Sequence, residues 1–140
     1  MQIKFIHTTK LRVRYGETDQ MGYCYYGNYA QYLEVGRVEA LRNIGMSYKE
    51  MEEKGVMLPV SEFQVKYIYP AKYDDELTIE SKIASVKGSR IFFEHEIKNE
   101  EGKLISTSKI TLAFVSKATM RPILPPESFL NLINKYETEI

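Results

Sequence analysis

A single segment of helical period, followed by segments of strand period, limits most strongly what this chain can fold into. Within residues 28–44, apolar or small side chains recur every three or four positions: Tyr29, Leu33, Gly36, Ala40 and Ile44. Asn28 is placed as an N-cap, and Gly45 is placed as the glycine that ends a helix. A helix with one apolar face must bury that face, so the rest of the chain has to supply the surface.

The segments outside this helix alternate with period two and predict that surface as an antiparallel sheet. The predicted strands cover residues 8–14, 56–69, 76–86, 90–99 and 103–116, with a last short strand around Ile123. Residues 47–54, with Ser47 and Glu50 as a capping box, and residues 125–136 predict two further helices.

Residues 1–140 are therefore predicted to form one α+β domain, in which an antiparallel meander wraps the long helix. Gly36 is expected where the backbones of helix and sheet come closest. One helix leaves the sheet edges poorly covered, which predicts edge pairing with a second copy of the chain.

Charge and cysteine content narrow the possible functions. The 140 residues carry 19 Lys and Arg against 19 Asp and Glu, and this balance argues against a strongly basic nucleic-acid-binding surface. One cysteine, Cys24, rules out an intramolecular disulfide and favours a reducing, cytoplasmic compartment. The N-terminus lacks the apolar run of a signal peptide, and no stretch reaches the ~20 apolar residues of a membrane span.

The segment most suited to chemistry is YGETDQMGYCYYGNY, residues 15–29, which joins the first strand to the long helix. It places two carboxylates, Glu17 and Asp19, just before a helix N-terminus, where free N–H groups can hold an oxyanion. A nearby carboxylate can attack a thioester carbonyl or activate water. From spacing alone, the simpler interpretation is that Asp19 caps a turn and the tyrosines pack.

Extended to RYGETDQMGYCYYGNY and followed by LEVGRVEALR, this segment resembles the N-terminal signature of the 4-hydroxybenzoyl-CoA thioesterase family, which includes the Tol–Pal-associated acyl-CoA thioesterases. VKYIYPAKYDDELTIE and VKGSRIFF resemble later family segments, so the resemblance runs from about Thr9 to Pro125. It implies a hotdog fold of five to six strands, paired into dimers and often tetramers. The implied activity is hydrolysis of an acyl-CoA to a carboxylic acid and CoA.

The resemblance also implies roles for individual residues. Asp19 matches the catalytic aspartate, as nucleophile or as general base, and the backbone N–H of Tyr26 would polarise the thioester carbonyl. Gly22 would allow the turn, while Tyr25 and Tyr29 would line the acyl slot.

The resemblance also covers a second region of the site, and the chain differs from many family members at one position. The turn containing Lys87, Ser89 and Arg90 matches the region that holds the nucleotide and phosphates of CoA, although an ordinary charged hairpin turn has the same composition. Many Tol–Pal-associated members carry histidine where this chain has Tyr26, so a mechanism that uses that histidine is not open to it.

Other functions and other residues were weighed against this one. A thioesterase for acyl-carrier-protein substrates and a non-catalytic acyl-CoA-binding protein remain alternatives, whereas a dehydratase is disfavoured because no histidine lies between His7 and His95. Cys24 fits a small buried side chain better than a nucleophile, and His95 shares a face with core residues. Residues 74–76 are predicted to form a solvated acidic turn. We predict no metal and no redox cofactor, with coenzyme A as part of the substrate.

Overall fold

A computed structural model of the protein describes residues 1–138 and contains one long helix against a five-stranded antiparallel sheet. The strands are β1 Gln2–Arg12, β2 Val56–Met57, β3 Val60–Tyr67, β4 Glu76–Lys87, β5 Arg90–Lys98, β6 Leu104–Ala113 and β7 Val115–Ser116. The helices are α1 Tyr29–Ile44, α2 Tyr48–Glu53 and α3 Glu127–Ile133. Three-residue 3-10 turns cover Tyr15–Glu17, Tyr26–Asn28 and Asn134–Tyr136. The sheet order is β1-β4-β5-β6-β3, and β2 pairs with β7 in a separate small sheet.

The strand predicted over residues 56–69 is wrong as one unit. It is divided at Pro59, which has no N–H to donate to a ladder, into β2 and β3. The predicted meander is also wrong at this point, because β3 pairs with β6 at the far edge of the sheet and not with β4. β1 begins at Gln2 instead of Thr8. Around Ile123, the described chain has only an isolated bridge between Val115 and Pro122.

The core lies between α1 and the sheet, as the helical period predicts. Leu33, Ala40 and Leu41 from α1 are almost fully buried, together with Ile79 and Phe93 from the sheet. A Cβ on Gly36 would lie 2.7 Å from Ile79 Cγ2 and 2.7 Å from Ser81 Oγ. This close approach confirms the prediction for Gly36, since a larger side chain would push α1 off the sheet.

The helix termini agree with the sequence in part. Gly45 ends α1 with a φ of 113°, a conformation that favours glycine. Ser47 caps α2, because its hydroxyl accepts the N–H of Glu50 at 3.2 Å. The capping role predicted for Asn28 is wrong: a 3-10 turn precedes α1, and the Asn28 side chain donates to the carbonyl of Glu17 at 2.8 Å instead.

The two edge strands of the sheet differ in cover. Every residue of β3 except the half-buried Val65 is exposed, including the large side chains Val60, Phe63 and Tyr67. β1 is covered at its start by the chain's last described residues, where Thr138 donates to the carbonyl of Gln2 at 2.9 Å. No helix within residues 1–138 has the length and apolarity that crossing a membrane requires.

Candidate active site

Asp19 lies in a tight turn between β1 and α1. Its carbonyl accepts the N–H of Gly22 at 3.0 Å, and its own N–H donates to the carbonyl of Tyr23 at 2.9 Å. One carboxylate oxygen accepts the N–H of Met21 at 2.9 Å, and the residue is half-buried. Gly22 has a φ of 77°, so the turn requires a residue that tolerates the left-handed region. The carboxylate is thus held by its own loop while remaining accessible to water.

The start of the helix faces the same loop. Asn28 donates its N–H to the carbonyl of Tyr25 at 2.9 Å, which closes the 3-10 turn that leads into α1. The N–H groups of Tyr26 and Gly27 open this turn, where no acceptor exists within the helix. Aligned peptide dipoles add partial positive charge at that end. One segment therefore carries both a carboxylate and the peptide donors of a helix start, a combination that can stabilise a tetrahedral intermediate.

The predicted acyl-slot tyrosines have different surroundings. Tyr25 and Tyr26 are exposed, Tyr26 to 64%, with their ring centroids 4.8 Å apart. Tyr29 is only 3% exposed, and its burial raises the pKa of its hydroxyl to about 12. Tyr29 is therefore a neutral, buried side chain, whereas the rings of Tyr25 and Tyr26 are open to solvent.

Tyr67 of β3 also belongs to this aromatic group, although the sequence analysis did not single it out. Its ring lies 4.9 Å from that of Tyr29, and its hydroxyl donates to the carbonyl of Tyr26 at 3.1 Å. The residue is distant in sequence from the loop motif, so only the strand order places it there. Its position in an aromatic run just before Pro70 is the one signal that could have marked it.

The turn that was expected to bind CoA is not near Asp19 within one chain. The Asp19 loop contacts the segment just before β4, since Cys24 donates its N–H to the carbonyl of Ala71 at 2.7 Å. Lys87, Ser89 and Arg90 lie at the other end of that strand. β4 has 12 residues, and at about 3.3 Å per residue the two ends are roughly 35 Å apart. One chain therefore does not bring these two predicted parts together.

The alternative nucleophile, Cys24, is buried, and in the part of the chain that the structure describes its thiol contacts Tyr25 and Tyr32 and no histidine. Cys24 donates its thiol to the hydroxyl of Tyr32 at 3.4 Å, and burial raises the pKa of the thiol. His95 is 2% exposed in the sheet, where Nδ1 lies 3.0 Å from Ser81 Oγ. Burial, helped by the charge of Arg37, lowers the pKa of His95 to about 3. This confirms His95 as a core residue, neutral at physiological pH.

The acidic turn before β4 is closed by its own contacts. Asp75 accepts the backbone N–H of Lys72 at 2.9 Å, and Asp74 faces Arg12 at 3.7 Å. Both side chains therefore serve the turn and the neighbouring strand.

Comparison with known proteins shows the family of the chain. The family model of the thioesterase-like superfamily matches residues 13–133. YneP of Bacillus subtilis is 32% identical over 134 residues, which cover 94% of this chain and 97% of YneP. The acyl-CoA thioester hydrolase YbgC of Escherichia coli is 31% identical over 120 residues, which cover 86% of this chain and 90% of YbgC.

A solved structure shows the same architecture. DHNA-CoA thioesterase from Staphylococcus aureus superposes with a TM-score of 0.90 and 30% identity, covering 94% of this chain and 90% of that one. The predicted hotdog fold is thereby confirmed, with five strands in the main sheet and a further pair in the small one.

Proposed function

The chain belongs to the thioesterase-like superfamily, and we propose that it hydrolyses an acyl-CoA thioester at Asp19. Water is added across the thioester: the C–S bond breaks, the carbonyl carbon gains the oxygen, and coenzyme A leaves as the thiol. The observation that carries the proposal is that the loop holding Asp19 is hydrogen-bonded, through Glu17, to the segment that opens α1, where the first N–H groups have no acceptor within the helix. The chain is an acyl-CoA thioesterase, as its relatives indicate.

Asp19 has two possible roles at the carbonyl. As nucleophile, it would form a mixed anhydride that water then cleaves; as general base, it would take a proton from the attacking water. In both cases negative charge develops on the carbonyl oxygen, and the N–H of Tyr26 is the donor that we propose stabilises it. The side chain of residue 26 is a phenol here, so the proton has to be handled by Asp19 and water.

The site is proposed to be completed by a second copy of the chain. β3 is an exposed edge strand with apolar side chains. The backbone N–H and C=O groups along such an edge can pair with a strand of another chain. Two β3 strands paired antiparallel about a twofold axis would put the Tyr67 end of one beside the Val60 end of the other. The Val60 end of β3 lies at the same end of the sheet as Arg90. Val60 is in register with Leu112 of β6, and Leu112 is in register with Ile91 of β5, the neighbour of Arg90.

This pairing would bring the second copy's Lys87–Arg90 turn to the Asp19 loop, and so resolve the separation found within one chain. The charged turn could then hold the phosphates of CoA while Asp19 acts on the thioester. Tyr25 and Tyr29 would line the acyl slot. Assembly of two such dimers into a tetramer remains an expectation from the family resemblance.

The proposed reaction needs only the chain, water and the substrate, with coenzyme A as part of that substrate. A single buried cysteine suits the reducing cytoplasm, which is the location we propose.

The test is thiol release from a panel of acyl-CoAs, from acetyl through palmitoyl to benzoyl and 4-hydroxybenzoyl, by wild type and by Asp19→Asn. We expect Asp19→Asn to lower kcat by roughly a thousandfold with little change in KM, because the lost interaction is made in the transition state. Asp74→Asn is the matched control, since Asp74 lies in the solvated turn before β4. Full activity in Asp19→Asn would refute the mechanism. No thiol release by wild type would favour a carrier-protein substrate or acyl-CoA binding alone.

A further inference from the structure

Glu17 is the most connected side chain of the Asp19 loop. One carboxylate oxygen accepts the N–H of Arg14 at 2.8 Å and the hydroxyl of Tyr32 at 2.8 Å. The other accepts the guanidinium of Arg14 at 3.1 Å. The side chain is only 13% exposed, and both oxygens are occupied by donors from this chain. Both oxygens of Glu17 are therefore engaged in holding the loop.

The backbone of Glu17 adds two contacts to the other half of the site. Its carbonyl accepts the N–H of Tyr25 at 2.8 Å and the side-chain amide of Asn28 at 2.8 Å. Tyr25 precedes the 3-10 turn whose first N–H belongs to Tyr26, and Asn28 is the last residue of that turn. The carboxylate meanwhile reaches Tyr32, one turn further along α1. A single residue thus joins the loop to the helix start at three points.

Asp19 lies two residues after this anchor. Thr18, between them, forms an antiparallel bridge with Cys24, and Asp19 continues the pairing with Tyr23. Glu17 therefore helps to fix the position of Asp19 relative to Tyr26, since within residues 1–138 the Asp19 carboxylate itself is held only by the N–H of Met21, in its own turn. Movement of Glu17 would change the distance between the carboxylate and the oxyanion donor.

We propose that Glu17 is a positioning residue for the thioesterase reaction, holding Asp19 and the Tyr26 N–H at their working separation. This inference rests on the proposed function of the site. The anionic form is the one the chain stabilises: burial alone would raise the pKa of Glu17, but the hydrogen bonds from Arg14 and Tyr32 outweigh it and lower that pKa. Tyr32 donates to Glu17 while accepting the thiol of Cys24, so its hydroxyl is committed to the same network.

The substitution that tests this role is Glu17→Ala, compared with the isosteric Glu17→Gln. Loss of the carboxylate should displace Asp19, and a misplacement near 1 Å can cost roughly a hundredfold in rate. We expect kcat of Glu17→Ala to fall by roughly 10- to 100-fold, with KM staying near the wild-type value. Glu17→Gln keeps an acceptor oxygen for Tyr32 and for the Arg14 N–H, so it should recover most of kcat.

The kinetics use whichever acyl-CoA of the panel the wild type cleaves fastest, at a temperature where circular dichroism shows each variant folded. Glu39→Ala is the matched control, since Glu39 also pairs with an arginine three residues away, at 3.6 Å, but near the far end of α1. A merely structural role would leave kcat per folded molecule unchanged. Wild-type kcat in folded Glu17→Ala would therefore overturn the proposal, as would a Glu17→Gln variant as slow as Glu17→Ala.

If Glu17→Ala does not fold, the double variant Arg14→Leu with Tyr32→Phe removes the guanidinium and the hydroxyl and leaves Glu17 in place. The same fall in kcat at constant KM is then expected, and an unchanged kcat overturns the proposal. Failure of the proposed function looks different, because wild type itself would then release no thiol from any acyl-CoA.

Discussion

The two edge strands of the sheet, β1 and β3, differ in how far other residues cover them. At the start of β1, the C-terminal segment covers the edge: Ile3 forms a bridge with Glu137, and the ring of Phe5 lies 4.9 Å from that of Tyr136. Within residues 1–138 nothing comparable covers β3, yet its Tyr67 contacts the start of α1 beside the candidate site. The uncovered edge is therefore the edge that can connect a second subunit to the chemistry.

The largest effect is expected from breaking the β3 edge. Phe63 is 40% exposed on β3, and Ile6 is 49% exposed on β1, so the two positions make a matched pair. Phe63→Glu should give a monomer and lower kcat/KM by roughly a hundredfold, because a charge at the centre of a paired edge is left without a partner and the second copy's turn is lost. Ile6→Glu should leave the oligomeric state and kcat/KM unchanged. Sedimentation velocity measures the oligomeric state, and thiol release measures kcat/KM. A fully active monomeric Phe63→Glu would refute the shared site.

A smaller effect is expected from the charged turn at the far end of β4. Replacing Lys87 and Arg90 together by Ala should raise KM roughly tenfold with kcat little changed, since phosphate contacts bind substrate and transition state alike. Lys98→Ala, at the opposite end of β5, is the control. An unchanged KM would mean that the turn is an ordinary hairpin.

Mixing two impaired variants tests whether the turn and Asp19 of one site come from different subunits. A heterodimer of Asp19→Asn with the Lys87→Ala, Arg90→Ala chain contains one intact site, if the turn acts on the other subunit's Asp19. At substrate concentrations below KM, an equimolar exchanged mixture should then regain roughly a quarter of wild-type activity, as closed twofold pairing requires. No gain over the average of the separate homodimers would place the turn in the same chain's site or outside the site.

A modest effect is expected at Tyr67, where the β3 edge meets the helix start. Tyr67→Phe removes the 3.1 Å hydrogen bond to the Tyr26 carbonyl but keeps the ring. A neutral hydrogen bond contributes about 1 kcal/mol, so kcat should fall by roughly three- to fivefold. Tyr69→Phe is the control, because that ring packs against Lys103. The measurement is steady-state kinetics on both variants. An equal kcat for Tyr67→Phe and Tyr69→Phe would show that the Tyr67 hydroxyl has no role in the site.

The smallest effect on activity is expected at His95, which lies between the two edges, in β5. Its folded pKa is about 3, below its ordinary value, so as pH falls below about 6.5 the unfolded chain binds a proton that the folded chain does not. Wild type should accordingly lose about 2 kcal/mol of stability between pH 7 and pH 5 through this group. His95→Gln should lack this loss while His7→Gln keeps it, as urea unfolding at the two pH values would show. Parallel losses in wild type and His95→Gln would contradict the assignment.

Much of this site could be predicted from the chain alone. The motif around Asp19 and Gly22 is local, and its turn depends on hydrogen bonds between residues close in sequence, so the loop was predictable from the residues. Glu17 was visible in the same motif, but its role was not, because its carboxylate is held by Tyr32 from the following helix. Side-chain partners of this kind depend on how the loop folds back on α1.

The sequence by itself determined most of the elements, the apolar face of α1, the requirement for Gly36 and the family to which the chain belongs. Only the tertiary structure decided that β3 lies at the far edge beside β6, that Tyr67 reaches Tyr26, and that Lys87 and Arg90 stand at the opposite end of β4 from Asp19. The physical reason is that a period of two or 3.6 reports which side chains share a face. Which strands pair depends on burial and chain connections across the whole domain.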